Sequence, residues 1–308
     1  MTVKNVKNKA ASVHQRLLNM AKESNRPFNE LLHYFAMERF LYRLSVSPHS
    51  NSFVLKGALM LTVWEAPQTR PTMDIDLLGY TKNSQENIES IFKEVCTTDV
   101  SDDGLSFEAD SIITGKIKED ADYEGIRVRF SGHLGSARIS MQIDIGFGDV
   151  VNPRPRKIVY PTMLNDPAPM IKAYNRENTV AEKFDAMVKL GELNTRMKDF
   201  FDLWFLSRHF EFDGVALLTA CRLTFEHRHT EMDPNPIVLT ERFADDSKRQ
   251  TMWTGFLRKS RIDFAPPNFK DVMMSIQVFI LPIAWHMASG DTFDRHWLPA
   301  GTWIEKPR

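Results

Sequence analysis

Ser52-Phe53-Val54-Leu55-Lys56-Gly57-Ala58-Leu59-Met60-Leu61 and, after a short connector, Thr72-Met73-Asp74-Ile75-Asp76-Leu77-Leu78 decide how this chain is read. Phe53 to Leu55 is a short β-rich run, and Gly57 permits a tight turn. Ala58 to Trp64 reads as a helix, so the stretch is strand, turn, helix, loop, strand. The first N–H groups of such a helix are unpaired and its dipole favours negative charge, which makes its N-terminus an anion site. Period 2 in the second strand puts Asp74 and Asp76 on one face, with Ile75 and Leu77 on the other. Two carboxylates beside an anion-binding turn suit a Mg²⁺–triphosphate complex, because Mg²⁺ takes carboxylates together with substrate phosphates. An Asp-x-Asp alone is more often a solvated strand end; the Lys-Gly-Ala turn upstream gives it weight.

Working outward, 308 residues hold one large domain or two ordinary ones. A net charge of −1 excludes a globally basic nucleic-acid binder and leaves only local basic faces. Cys96 and Cys221 match no zinc or redox spacing and read as thiols of a reducing cytoplasm. Met1 to Lys7 has no apolar core of the kind a secretory signal needs. Val272 to Ala288 is apolar but carries Gln277, Pro282 and His286, so it reads as a buried helix rather than a membrane span.

On the N-terminal side, residues 9–24 read as a helix broken at Asn25-Arg26-Pro27, and Pro27 starts a second helix running through Leu44. After Asp76 come a helix over 83–96 and an acidic turn over 99–104. Residues 106–118, 123–133 and 137–147 then alternate as strands. Arg127 and Arg129 share one face. Ser140, Gln142 and Asp144 share the face opposite Ile139, Met141 and Ile143. Asp144, at a strand end, is a candidate third metal ligand, with Asp149 as the alternative. Arg154-Pro155-Arg156-Lys157 is a basic loop, and Ile158 to Tyr160 reads as a last strand.

Composition turns helical near residue 177, which places a domain boundary over 166–176: a core over 1–170 and a helical domain over 171–308 that completes the site. Thr179 and Glu182 have capping-box spacing. The stripe Val180, Lys183, Phe184, Met187, Val188 puts Lys183 in an inward slot, where an ammonium needs an anion: a phosphate, an Asp, or escape to solvent. The helix over 198–206 is apolar nearly all round, so Asp199 and Asp202 need cations, with Lys183 and Arg196 at hand. A structural Lys–Asp pair is the plain alternative to a catalytic role. Gly214 to Glu226, Leu239 to Phe264 and Asn268 to Ala288 read as further helices of a bundle. His227 and His229 read as surface.

The turn followed by Asp-x-Asp resembles the nucleotidyltransferase superfamily, with Ala58 standing where a Ser hydroxyl is common. At Glu38–Leu44, Leu55–Leu59, Arg70–Leu77, Ile143–Asp149, Ala181–Lys183 and Arg196–Leu203 the chain is similar to the AbiEii/AbiGii toxin family of nucleotidyltransferases, over roughly residues 28–210. The resemblance implies an α+β fold: a polymerase-β-like mixed sheet flanked by helices, with a helical C-terminal bundle. It implies a cytoplasmic toxin of a type IV toxin–antitoxin pair acting in phage defence. A Mg²⁺-dependent enzyme would transfer NMP from an NTP to RNA, as some members do at the tRNA 3′ end, and block translation. Asp74, Asp76, Lys183, Asp199 and Asp202 are the expected catalytic residues. Lys56, Gly57, Ala58, Thr72, Lys183 and Arg196 are the expected nucleotide contacts, and Asp74, Asp76 and Asp144 the metal ligands. The acceptor track would draw on Arg127, Arg129, the 154–157 loop, Arg196, Lys198, Arg258, Lys259 and Arg261. Transfer to a protein or small molecule, and a non-catalytic nucleotide-binding partner, are the alternatives.

Overall fold

The structure, a computed structural model, describes residues 8–66, 70–120, 123–299 and 301–306. The Met1–Lys7 stretch read above lies outside them. Two compact units appear: Met1–Gly148 with Arg156–Ala173, and Asp149–Pro155 with Tyr174–Arg308.

In the first unit, α1 (Lys9–Ser24) is capped by Asn8, whose side chain accepts from Ala11 N, and ends at Asn25 in the left-handed region. Pro27 then caps α2 (Phe28–Val46), which is buried over most of its surface, Glu38 and Arg39 included. The eight strands are β1 (Phe53–Lys56), β2 (Ile75–Gly79), β3 (Leu105–Phe107), β4 (Ile113–Asp120), β5 (Tyr123–Leu134), β6 (Ala137–Phe147), β7 (Arg156–Val159) and β8 (Met170–Ala173). They form one mixed sheet in the order β3-β5-β6-β2-β1-β8-β7, with β4 also paired to β5. The pairs β2–β6 and β1–β8 are parallel. Between β1 and β2 lies the single turn α3 (Leu59–Val63), and α4 (Gln85–Cys96) follows β2.

Period 2 builds the core. Ile75, Leu77, Val128, Phe130, Met141 and Ile143 turn to one sheet face and pack with Phe40 and Leu44 of α2 and Ile88 and Phe92 of α4. Burying each such side chain is worth about 1.5–3 kcal/mol. The odd-even alternation that hides these residues sends Asp76, Asp144, Arg127 and Arg129 to the other face.

Three local readings change here. The strand expected over 106–118 is broken by a 3₁₀ turn at Ala109–Ser111, where Ser111 Oγ donates to Glu108 O and accepts from Ser131 N. The 166–176 stretch, read only as a domain boundary, also contains a strand, β8, which pairs with β1. The last strand of the loop region spans Arg156–Val159 rather than 158–160.

The second unit holds α5 (Arg176–Leu190), α6 (Met197–His209), α7 (Gly214–His227), α8 (Glu241–Ala244), α9 (Ser247–Ser260) and α10 (Phe269–Ser289). Helix α5 starts a turn earlier than the Thr179 box suggests. Asn175 is the cap, its Oδ1 accepting from Asn178 N at 3.0 Å, and Thr179 lies buried inside the helix. The single helix expected over 239–264 is two, because Asp246 accepts from Lys248 N and Arg249 N and so restarts the chain as α9. A small sheet also forms from β9 (Phe212–Asp213), β10 (Arg295–Leu298) and β11 (Thr302–Glu305). Helix α10 is long and apolar enough to cross a membrane. Its Val272, Ile276, Phe279, Ile280 and Ile283 are nevertheless buried, and it packs on α6 and α7.

Candidate active site

Lys56 ends β1 directly opposite Asp76 of β2, and Asp76 lies opposite Asp144 of β6. Directly paired residues share a sheet face, so the three side chains project together. Asp74 sits just before β2. One carboxylate oxygen from each of Asp74, Asp76 and Asp144 lies within 4.8 Å of the others, and all three residues are half-buried. An all-oxygen set with two or three carboxylates is the donor chemistry of a hard divalent cation such as Mg²⁺.

The turn and the acids touch. Gly57 has φ +72°, and a Cβ there would fall 2.0 Å from Asp76 Oδ2. Glycine is therefore needed twice, for the left-handed backbone and for the close approach of the carboxylate. The helix behind the turn is only five residues long. Its dipole is correspondingly small, and the expected anion site reduces to the N–H groups of the turn itself. Ala58 is buried and makes no side-chain cap.

Thr72, a predicted nucleotide contact, is buried beside Asp74. Its hydroxyl donates to Asp74 Oδ1, and its N–H donates to the Tyr34 hydroxyl at 3.0 Å. The neighbouring His33 Nε2 lies 2.8 Å from Met73 O, and since a carbonyl only accepts, this nitrogen carries the proton. Burial pushes the His33 ring below its ordinary value, which keeps it neutral. Helix α2 thus holds the backbone of two successive residues, Thr72 and Met73, in the segment that bears Asp74. Neither His33 nor Tyr34 was singled out in the sequence; two polar residues on the buried side of an apolar helix were the available signal.

Asp144 has a partner of its own. Arg127 donates from Nε to Oδ1 at 2.7 Å and from Nη2 to Oδ2 at 2.6 Å. Such a fork fixes the carboxylate plane and leaves further lone pairs on each oxygen for a cation. Asp149, the alternative to Asp144, is in the second unit, buried, and pairs with Arg228 at 2.8 Å.

The second unit carries its own charged cluster. Lys183 Nζ of α5 lies 3.0 Å from Asp199 Oδ1 and 2.6 Å from Asp202 Oδ2 of α6. Arg196 Nε lies 2.8 Å from Asp199 Oδ2. Burial alone would push the Asp199 carboxyl up; the Lys183 ammonium and Arg196 guanidinium outweigh it and hold the group below the usual carboxylate range. The helix-spanning Lys–Asp pair weighed in the sequence is therefore present. Arg228, missed among the histidines, ties Asp149, Glu182 and Asp185 together in the same unit.

A family model described as nucleotidyl transferase AbiEii toxin, type IV TA system, matches residues 39–275. Among solved structures, a candidate nucleotidyltransferase from H. pylori is similar at a TM-score of 0.48 and 16% identity, over 85% of this chain and 98% of that one. JHP933 from Helicobacter pylori is similar at a TM-score of 0.48 and 17% identity, over 85% of this chain and 94% of that one. No curated protein matches. With most of its length matched, and a Gly turn set against paired aspartates, the chain belongs to the AbiEii nucleotidyl transferase toxin family of type IV toxin–antitoxin systems.

Proposed function

We propose that this enzyme transfers NMP from an NTP to an RNA acceptor, the tRNA 3′ end, in a Mg²⁺-dependent reaction that blocks translation in the cytoplasm and serves phage defence, with an antitoxin as its genetic partner. The convergence of Asp74, Asp76 and Asp144 beside the Gly57 turn carries the reading. When bound, Mg²⁺ supplies charge neutralisation on the phosphates and lowers the pKa of the acceptor hydroxyl. Asp74, Asp76 and Asp144 would hold it. Lys56, on the face of Asp76, meets phosphate charge, and the Gly57 and Ala58 N–H groups orient the triphosphate. Thr72 fixes Asp74, and Arg127 fixes Asp144. Lys183, Asp199, Asp202 and Arg196 are required as well, in the role the family resemblance gives them. This is catalysis by positioning and charge neutralisation.

Exposed Arg129, Arg154, Arg156, Lys157, Arg258, Lys259 and Arg261 offer local phosphate contacts on a chain of near-zero net charge. The test is incubation with each labelled NTP, Mg²⁺ and total RNA. Label should enter tRNA with the parent and not with Asp74→Ala or Asp76→Ala at matched thermal stability. Raising salt should weaken RNA binding more than NTP binding. Label in protein or small molecules but never in RNA overturns the acceptor; near-parent turnover of either Asp variant overturns the site.

A further inference from the structure

One cross-strand row runs through the first unit's polar sheet face. Lys56 pairs with Asp76, Asp76 with Asp144, Asp144 with Arg127, and Arg127 with Gly115 of β4. The row begins at the Gly57 turn and ends at an open trough of about 360 Å³ over β4 and β5. Ile113, Gly115 and Ile117 on one strand and Arg127 and Arg129 on the other line it. Strand spacing puts Gly115 about 10 Å from Asp144, two strands away.

Gly115 has no structural reason to be glycine. Its φ is not in the left-handed region, and a Cβ there would meet nothing within 4 Å. Glycine inside a strand costs stability and marks close approach by a ligand or another backbone. Beside it Ile113, 71% exposed, is held out at the trough's edge. Arg129 is exposed, donates to Gln142 Oε1 at 3.2 Å, and has no carboxylate partner among the described residues. An apolar edge, a bare floor and an uncommitted guanidinium make a seat for a flat ring next to a phosphate.

The direction of the reaction assigns the occupant. In-line transfer needs the attacking oxygen opposite the departing pyrophosphate. The Gly57 turn and Lys56 lie on the β1 side of Asp76, so the pyrophosphate leaves there. The acceptor must then come from the β6–β5–β4 side. We infer that this trough seats the 3′-terminal nucleoside of a single-stranded RNA acceptor, its base on Gly115 between Ile113 and Ile117 and its backbone phosphate at Arg129. This rests on the nucleotidyl-transfer reading. The acceptor hydroxyl oxygen forms the new bond to the α-phosphorus and the α–β P–O bond breaks. Its electron pair leaves with pyrophosphate, and the hydroxyl proton passes to a carboxylate oxygen of the aspartate triad.

The experiment is photocrosslinking of the full chain to a short single-stranded RNA carrying 4-thiouridine at its 3′ end, with peptide mapping, so that it needs no turnover. The adduct should map within residues 113–129. Gly115→Val fills the floor with a β-branched residue the strand tolerates, and Arg129→Ala removes the phosphate contact. Each should weaken RNA binding roughly tenfold, the equivalent of about 1.4 kcal/mol, with NTP binding unchanged. An adduct elsewhere, or parent-like RNA binding by both variants, overturns the subsite. A correctly placed adduct with no label transfer from any NTP supports the subsite and sinks the transfer reading alone.

Discussion

Gly57→Ala is the sharpest probe of the candidate site, because the structure fixes its effect from two sides. The new Cβ would lie 2.0 Å from Asp76 Oδ2 and 2.7 Å from Asp76 Cβ and Cγ, where ordinary contact begins at 3.4 Å. The carboxylate must retreat by about 1.4 Å, or the turn must open by as much. A misplacement of about 1 Å in a reacting constellation costs on the order of 100-fold in rate. The left-handed φ of +72° adds about 1–2 kcal/mol of strain for any residue with a Cβ. That loss corresponds to a Tm lower by roughly 2–8 °C for a unit of this size. Pyrophosphate release gives the rate and differential scanning fluorimetry the stability. Gly255→Ala is the matched control: it lies in α9, a Cβ there meets nothing within 4 Å, and the change should stabilise by about 0.5–1 kcal/mol. A Gly57→Ala enzyme that turns over within a few-fold of the parent would refute the contact between turn and acid as the basis of the site.

Tyr34→Phe keeps the ring but leaves the Thr72 N–H without its acceptor, at a cost of about 1–3 kcal/mol, and should raise the Mg²⁺ concentration needed for half-maximal rate; an unchanged Mg²⁺ titration removes the positioning role. Burial raises the Glu38 carboxyl from 4.5 to about 7, so the folded state holds its proton more tightly than the unfolded chain. That contribution is fully present below pH 4.5 and is lost as pH rises through 7, an effect of about 3 kcal/mol at about 1.4 kcal/mol per unit. Urea midpoints of the parent and Glu38→Gln should converge or cross over this window, and parallel pH curves would contradict the assignment. Lys183→Met removes the ammonium that meets both buried Asp199 and Asp202, with Arg196 still beside Asp199, so it should destabilise by about 3–5 kcal/mol at neutral pH. Because the folded Asp199 value is depressed, the parent's advantage should disappear as pH falls below the ordinary carboxylate range; a difference independent of pH argues against the ion pair as its source.

The fold was legible where local rules decide it. Pro27 and Asn25 punctuate α1 and α2, and period 2 sorts β5 and β6 into a buried and a polar face. It was illegible where a distant partner decides it. Met170–Ala173, four residues inside the stretch read as a domain boundary, becomes β8 because β1 lies beside it. Phe212 and Asp213 become a strand because β10 arrives from more than eighty residues away. Thr179 and Asn175 both fit a helix cap, and propensity alone does not choose between residues one turn apart.

The candidate site divides along the same line. That Asp74 and Asp76 share a face follows from spacing. That Asp144 stands beside Asp76 does not, because β6 reaches β2 as a parallel neighbour only after α4 and three other strands have formed. Arg127 opposite Asp144 was readable, however. The hairpin closes at Leu134–Ala137 around Gly135, which has φ +59°, and pairing counted back from that closing pair brings Arg127 to Asp144. Reading Arg127 only as part of a basic track overlooks what this register imposes. A guanidinium bound through two hydrogen bonds to a carboxylate is already committed, and swapping that anion for an RNA phosphate gains little. The RNA phosphate contact proposed for this sheet face therefore falls to Arg129, two residues along and on the same side, whose neighbour on β6 is the neutral Gln142. On that proposal the pair divides the labour by register alone: the arginine opposite an aspartate orients that aspartate, and the arginine opposite a glutamine is the one left to meet the acceptor.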